Sequence, residues 1–478
     1  MAKRKARLLL AGALLALACR DREPPEGRYI AAARQTGKWL RSVARATPAG
    51  LAWPVDALRG DDTGPSLATG GSGPVLFFLA LHQVGGDPSS LDVARSGARQ
   101  LLASLPGSLD PRTSPPATSL YGGAPGVAVV LGEVGRATGQ ESLRDGSRRV
   151  ARLVASAAVT AGDGAFWSPL FDDLTNGNAG TALFLVWASS ELDDPAALPI
   201  AERAGRRLAA RGVPAGGGRM WRFREDRPFL LPNFSHGTAG VAYVLATLGL
   251  AARDSEATRA AVLGARYLES IADRSGGGFF VPYGFGRDEW ARRREIGWAH
   301  GPAGTVRLFE RLQQVSPSHA WEAVIAATAA GLLPNPLARA RGLDGEEPSK
   351  FDLRFGAAGA IGFLVDRYEA TGDERCLAAA RQLGDALLER SFRDARGIRW
   401  REPRRPFMDS PGEPAELTGL FHGASGYGLA LLRLAATERK MPWGLRLPDD
   451  PGWRPRDRSG ETSLEPETTG AMSREAGR

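Results

Sequence analysis

Two kinds of helix alternate along this chain. Stretches 29–46, 89–105, 141–159, 196–211, 255–274, 320–333 and 374–390 carry Leu, Ala or Val on one face at a 3.6-residue period and arginines on the other. Between them lie more uniformly apolar stretches, at 75–81, 127–131, 181–187, 241–248, 306–312, 361–368 and 427–434. The first set is expected outside, facing water, and the second inside. Seven outer–inner pairs arranged in a ring predict an all-α fold, an α/α toroid. Segments 50–54, 164–167, 218–223, 277–281 and 397–400 set a glycine before Trp or Phe and alternate in character. They read as short strands, β-hairpins over one mouth of the ring.

Each apolar helix opens on the same signature, G-x-x-G. Its first glycines are Gly70, Gly123, Gly177, Gly237, Gly301, Gly356 and Gly423, at spacings of 53 to 67 residues. A repeat of that kind defines the fold. The glycines are expected to let backbones approach at the narrow end of the ring and to permit positive φ where the chain turns. The repeat also identifies equivalent positions, so a residue missing from one copy is informative.

At 478 residues, linked repeats argue for one large domain spanning 29–440. The 43% hydrophobic and 24% charged content is that of a globular protein. The net charge of +8 comes mostly from scattered arginines, with no basic block interleaved with aromatics, so a nucleic-acid partner is not expected. Residues 1–19 have the form of an export signal: Lys3, Arg4, Lys5 and Arg7, then an apolar run from Leu8 to Leu17, then Ala18 and Cys19. The run is shorter than the roughly 20 residues a membrane-spanning helix needs. The ending at Cys19 resembles a lipoprotein box, which would place the protein in the cell envelope on an N-terminal lipid, its one link to a membrane. A plain cleaved signal is the alternative, and a mis-called start would make the protein cytoplasmic. Residues 20–28 read as a tether. The only other cysteine is Cys376, so no intramolecular disulfide is expected once the signal is removed. The polar, Pro-rich tail 441–478 is expected to be mostly disordered, from about residue 448.

Four phrases carry a resemblance: Asp173-Leu-Thr-Asn-Gly-Asn-Ala-Gly180, Asn233-Phe-Ser-His-Gly-Thr-Ala-Gly240, Gly297-Trp-Ala-His-Gly-Pro-Ala-Gly304 and Gly419-Leu-Phe-His-Gly-Ala-Ser-Gly426. With the seven glycine signatures, the chain resembles the lanthionine synthetase C-like proteins over roughly residues 29–440. Members that cyclise peptides hold zinc with two cysteines and a histidine, and the zinc lowers the pKa of the substrate thiol. The resemblance implies those ligands at Ala299, Arg354 and Phe355, none of which can bind zinc. No cofactor is therefore expected. It also implies that Asp173 and His236 match the family's proton-moving pair; helix capping is the other account of both.

Other residues offer alternatives. His236, His300 and His422 share one slot, immediately before a signature glycine, and three imidazoles converging on the axis would make a remodelled metal site. Asp173 and Asp352 also share a slot, and paired carboxylates serve glycoside hydrolysis when about 5 to 9.5 Å apart. Arg354 beside Asp352 suits a plain ion pair. Trp167, Trp221, Trp298 and Trp400 suit stacking on sugar rings. Three readings follow: a divergent or non-catalytic member binding a peptide or small molecule in the mouth through His300, His422, Asp352, Arg354 and Trp298; an exported carbohydrate-active enzyme; and a zinc-independent peptide-modifying cyclase.

Overall fold

A computed structural model describes residues 27–60, 62–110, 117–224, 226–288, 290, 293–333, 335–339, 351–403 and 413–457. The outer helices are α1 (Arg28–Val43), α3 (Pro88–Ala103), α5 (Glu141–Ser156), α7 (Ala197–Arg211), α9 (Ser255–Ile271), α11 (His319–Leu332) and α14 (Glu374–Glu389). The inner helices are α2 (Ser72–Gly85), α4 (Ala124–Thr138), α6 (Asn178–Glu191), α8 (Thr238–Ala252), α10 (Pro302–Val315), α13 (Ala357–Thr371) and α15 (Ala424–Glu438); a single turn, α12 (Pro336–Arg339), precedes α13. Helix α15 packs against both α1 and α2, which closes the ring. Burial follows the expected division. Nearly every residue of α8 is buried, whereas α9 buries one stripe from Ala257 to Leu268.

Four hairpins join outer to inner helices: β1 (Arg45–Ala46) with β2 (Leu51–Ala52), β3 (Val159–Ala161) with β4 (Gly164–Phe166), β5 (Val213–Ala215) with β6 (Gly218–Met220), and β7 (Phe392–Asp394) with β8 (Gly397–Arg399). A fifth pair, β9 (Glu402–Pro403) and β10 (Pro414–Ala415), follows. The expected strand at 277–281 is reduced to one bridge, Asp273 to Phe280.

The signature glycines answer to crowding alone. None has positive φ; those at the helix caps lie between −95° and −148° where an inner helix opens at Gly123, Gly177, Gly237, Gly301, Gly356 and Gly423. The turn before each inner helix instead folds back onto the signature. A Cβ on Gly180, Gly240 or Gly304 would lie 1.8 to 2.0 Å from the carbonyl oxygen six residues earlier, on Leu174, Phe234 and Trp298. The close approach was foreseen; the positive φ was not needed.

The C-terminal segment departs from expectation. Residues 441–457 cross the ring on the face away from the signatures and are pinned by inner-helix side chains. Trp187 Nε1 donates to Arg446 O at 2.8 Å, Arg446 N to Glu133 Oε2 at 3.0 Å, and Trp453 Nε1 to Glu191 Oε1 at 2.9 Å. The fully buried Arg311 donates to Trp453 O at 2.8 Å. Polar composition predicts disorder where no partner exists; here buried inner-helix side chains supply the partners, and 448–457 are packed. Residues 458–478, like the signal, Cys19 and tether positions 20–26, lie outside the described residues.

Candidate functional site

The site grows out of a hydrogen-bonded circle. Two positions before the first signature glycine, in six of the seven repeats (all but the second), the backbone N–H donates to the carbonyl of the equivalent residue in the next repeat. The chain of bonds runs Thr175 to Ser235 (3.1 Å), Ser235 to Ala299 (3.0 Å), Ala299 to Arg354 (2.6 Å), Arg354 to Phe421 (3.3 Å), Phe421 to Ala68 (2.9 Å) and Ala68 to Tyr121 (3.0 Å). This circle fixes the mouth. It brings the following residues, His236, His300, Phe355 and His422, into one arc, with ring centroids 5.7, 6.2 and 5.3 Å apart in sequence.

Each of two aspartates serves the histidine of the next repeat. Asp173 Oδ1 accepts the N–H of Asn176 at 2.8 Å, and its Oδ2 accepts His236 Nδ1–H at 2.5 Å. Asp352 repeats this, accepting the Phe355 N–H at 2.7 Å and His422 Nδ1–H at 2.9 Å. Both carboxylates are fully buried. The paired slots seen in the sequence are thus a paired construction, in which an Asp closes its own turn and orients a neighbour's imidazole.

Arg354 distinguishes the two pairs. Its guanidinium turns from Asp352 and reaches across repeat five, donating from Nη2 to His236 Nε2 at 2.9 Å. With Nδ1–H on Asp173 and Nε2 accepting from Arg354, the network assigns a neutral imidazole of fixed tautomer. Burial pushes the guanidinium below its ordinary pKa, while Asp352, Glu295, Tyr283 and Asp173 act in the opposite sense. The guanidinium also faces Phe355 and Phe421, at 5.0 and 5.3 Å from their ring centres.

This donor set does not fit zinc. A methyl, a guanidinium and a phenyl ring stand at the three implied ligand positions, and the nearest imidazole lone pair is already engaged by a cation. The three-histidine alternative is not assembled either: Phe355 stands between His300 and His422. Among the described residues no group of three His, Cys, Asp or Glu side chains is placed to hold a metal ion.

The tryptophans have other work. Trp298 points down the axis, donating from Nε1 to Asp449 Oδ2 at 2.7 Å and packing on Tyr121 and Phe421, each at 5.0 Å. Trp167, Trp221 and Trp400 are buried under the hairpins. Each donates to a carbonyl in the last turn of the preceding outer helix: Val154, Leu208 and Leu387, at 2.7 to 2.8 Å. Trp53 does the same to Leu40 O at 2.9 Å. All four span 13 residues, a spacing visible in the sequence and unused there; they satisfy carbonyls a helix end leaves open.

An aromatic wall leads to His236 instead. Phe223 lies 4.8 Å from the His236 ring, with Phe171 and Phe229 at 5.7 and 6.2 Å from Phe223. Trp290 continues it beside Phe229 at 5.1 Å, and Tyr283 returns to His300 at 4.3 Å. The sequence reading missed these residues because the loops carrying them hold no repeat signature.

Comparison with known proteins bears on the fold and the family. No curated protein matches the sequence significantly. Among solved structures, nisin cyclase aligns over 80% of this chain and 91% of its own, at a TM-score of 0.54 and 16% identity, a likeness of fold. The Lin0763 protein from Listeria innocua (TM-score 0.45, 12% identity, 87% of this chain and 98% of its own) and cellobiose 2-epimerase from Bacillus thermoamylovorans B4167 (0.44, 14%, 86% and 99%) are more distant. Residues 61–445 match the family described as lanthionine synthetase C-like protein, and the chain belongs to that family.

Proposed function

We propose that this protein is a divergent family member that binds a peptide or other ligand in the toroid mouth and has lost zinc-dependent thioether cyclisation. One observation carries the reading: the Arg354 guanidinium, at a position where the family resemblance implies a zinc ligand, is hydrogen-bonded to His236 Nε2. A cation there repels a second cation, and a thiol without a metal stays near its ordinary pKa of about 8.5, mostly protonated at neutral pH. The imidazole becomes a proton acceptor only if Arg354 moves away. What the mouth retains is recognition chemistry: a guanidinium, His300 and His422, and the wall of Phe223, Phe229, Trp290 and Tyr283. An exported, envelope-located protein belongs to the same proposal, supported by a basic–apolar start ending at Cys19 that resembles a signal. No helix among the described residues is long and apolar enough to cross a membrane.

The test is metal analysis of the purified full-length protein, with free-thiol titration of a peptide bearing cysteine and dehydroalanine. No stoichiometric zinc and no thiol consumption are expected. One equivalent of zinc, or thiol loss abolished by His236→Ala, overturns the reading.

A further inference from the structure

The Arg354 guanidinium is a cation in the mouth without a counter-ion. Among the described residues only its Nη2 has a hydrogen-bond acceptor, the neutral His236 ring at 2.9 Å. Its Nε is out of reach of water and has no acceptor there at all. The neighbouring carboxylates are committed elsewhere. Asp173 serves Asn176 and His236, Asp352 serves Phe355 and His422, and Glu295 pairs with Arg293 at 3.1 Å. Burial depresses the guanidinium pKa in spite of them, so the lost hydration is not made good. A buried donor left unmade is costly, most of all on a charged group, and a bound anion relieves that cost.

An apolar surface lies beside this cation. Phe171, Phe223, Phe229 and Tyr283, from the loops ahead of three successive inner helices, are each only partly buried. His236 joins the two features: its Nε2 touches Arg354, and its ring lies 4.8 Å from that of Phe223. A ligand with an anionic end and a flat apolar end therefore finds both halves of its site side by side.

We propose that the mouth binds a monocarboxylate carrying an aryl group, with the carboxylate on Arg354 and the aryl group against Phe223, Phe229 and Tyr283. This rests on the reading of the mouth as a ligand site and names the ligand's chemistry. The planar fork of a guanidinium matches the two oxygens of a carboxylate. A single cation near two buried carboxylates, Asp173 and Asp352, favours a monoanion over a phosphate dianion. Two sources offer this chemistry: a free aromatic acid, or the C-terminus of a peptide ending in an aromatic residue.

The experiment is calorimetric titration of the full-length protein at pH 7 with hydrocinnamate and with the acetylated tripeptide Ala-Ala-Phe, each against its neutral amide, and with phenyl phosphate. At least one acid is expected to bind at about millimolar or tighter, and at least about tenfold more tightly than its amide. Whichever acid binds more tightly identifies the source. Phenyl phosphate should bind more weakly than hydrocinnamate. Arg354→Met should bring acid and amide to parity. Arg354→Lys keeps the charge and loses the fork, so it should weaken the acid while leaving it ahead of the amide. Phe223→Ala removes wall and not cation, and should weaken acid and amide alike by at least about fivefold. Absence of acid binding, tighter binding of phenyl phosphate, or an acid preference that survives Arg354→Met overturns the proposal. Parity of acid and amide in the unaltered protein, with both lost in Phe223→Ala, also overturns it but leaves the mouth a ligand site. Loss of zinc chemistry stands or falls on its own metal and thiol measurements.

Discussion

Installing donors in the mouth tests whether Arg354 by itself keeps a divalent ion out. Ala299 N–H donates to Arg354 O at 2.6 Å, so positions 299, 354 and 355 lie on adjoining backbone. In the double variant Ala299→Cys/Phe355→His a thiolate and an imidazole face the mouth while the guanidinium remains. A unit charge roughly 4 Å from a divalent ion, at an effective dielectric constant of about 20, repels it by about 8 kcal/mol. That is about six decades of affinity. Adding Arg354→Met removes the charge and contributes no strong zinc donor, so the two variants differ in repulsion alone. Adding Arg354→Cys instead completes a two-cysteine, one-histidine set. Competition against a chromophoric zinc chelator, with Tm measured in zinc and in chelator, reads all three. The Arg354-containing variant should take up no zinc at micromolar concentrations, the Met variant should bind measurably, and the Cys variant should hold one equivalent and melt higher in zinc. If the first two bound zinc within about tenfold of each other, electrostatic exclusion by Arg354 would be refuted.

Two further predictions concern the scaffold. Trp221→Phe removes the 2.7 Å bond to Leu208 O and leaves a buried carbonyl unpaired, so urea unfolding should show a loss of about 1–3 kcal/mol; a change below about 0.5 kcal/mol would rule out the capping role. Glu310, raised from 4.5 to about 8 by burial and Asp366, binds a proton in the folded state that the unfolded chain has already released. Stability should therefore fall as pH rises from about 4.5 to about 8, by at most about 1.4 kcal/mol per pH unit. Glu310→Gln should flatten that slope in Tm measured against pH, and an unchanged slope would refute the assignment.

The ring itself was legible because its two helix types differ in burial, and burial is what composition records. Leu245 and its neighbours must be apolar all round to lie inside the ring, while α9 needs only one stripe. The signature glycines were legible as a repeat, but their cause was not: the clash they avoid is with a carbonyl six residues away, which no local φ argument contains. His236, His300 and His422, which share one slot of the repeat, lie along one arc. The same equivalence puts Phe355, the sixth repeat's residue in that slot, between His300 and His422, but it could not show that Arg354 would pass over its neighbour Asp352 to reach His236. Such reach depends on ring diameter and on the length of one side chain. The packed segment 441–457 was illegible for a similar reason, since its partners Glu133, Trp187, Glu191 and Arg311 are spread over three inner helices.

Retention of Asp173 and His236 is weak support for proton chemistry, because an equivalent pair exists three repeats on. Asp173 and Asp352 each accept one backbone N–H of their own turn, at 2.8 and 2.7 Å, and one imidazole N–H from the next repeat. Both are buried to the same degree. If the pairs are chiefly elements of the mouth circle, Asp173→Ala and Asp352→Ala should destabilise by similar amounts, about 2–4 kcal/mol each for two lost charge-assisted bonds. If Asp173 is instead held in place to orient His236 for work on a ligand, its loss should cost less stability and more binding. Paired urea titrations of the two variants separate these cases. A deficit for Asp173→Ala smaller than that for Asp352→Ala by about 1.5 kcal/mol or more would show that the third-repeat aspartate is strained toward function, and the purely structural account of the pair would fail.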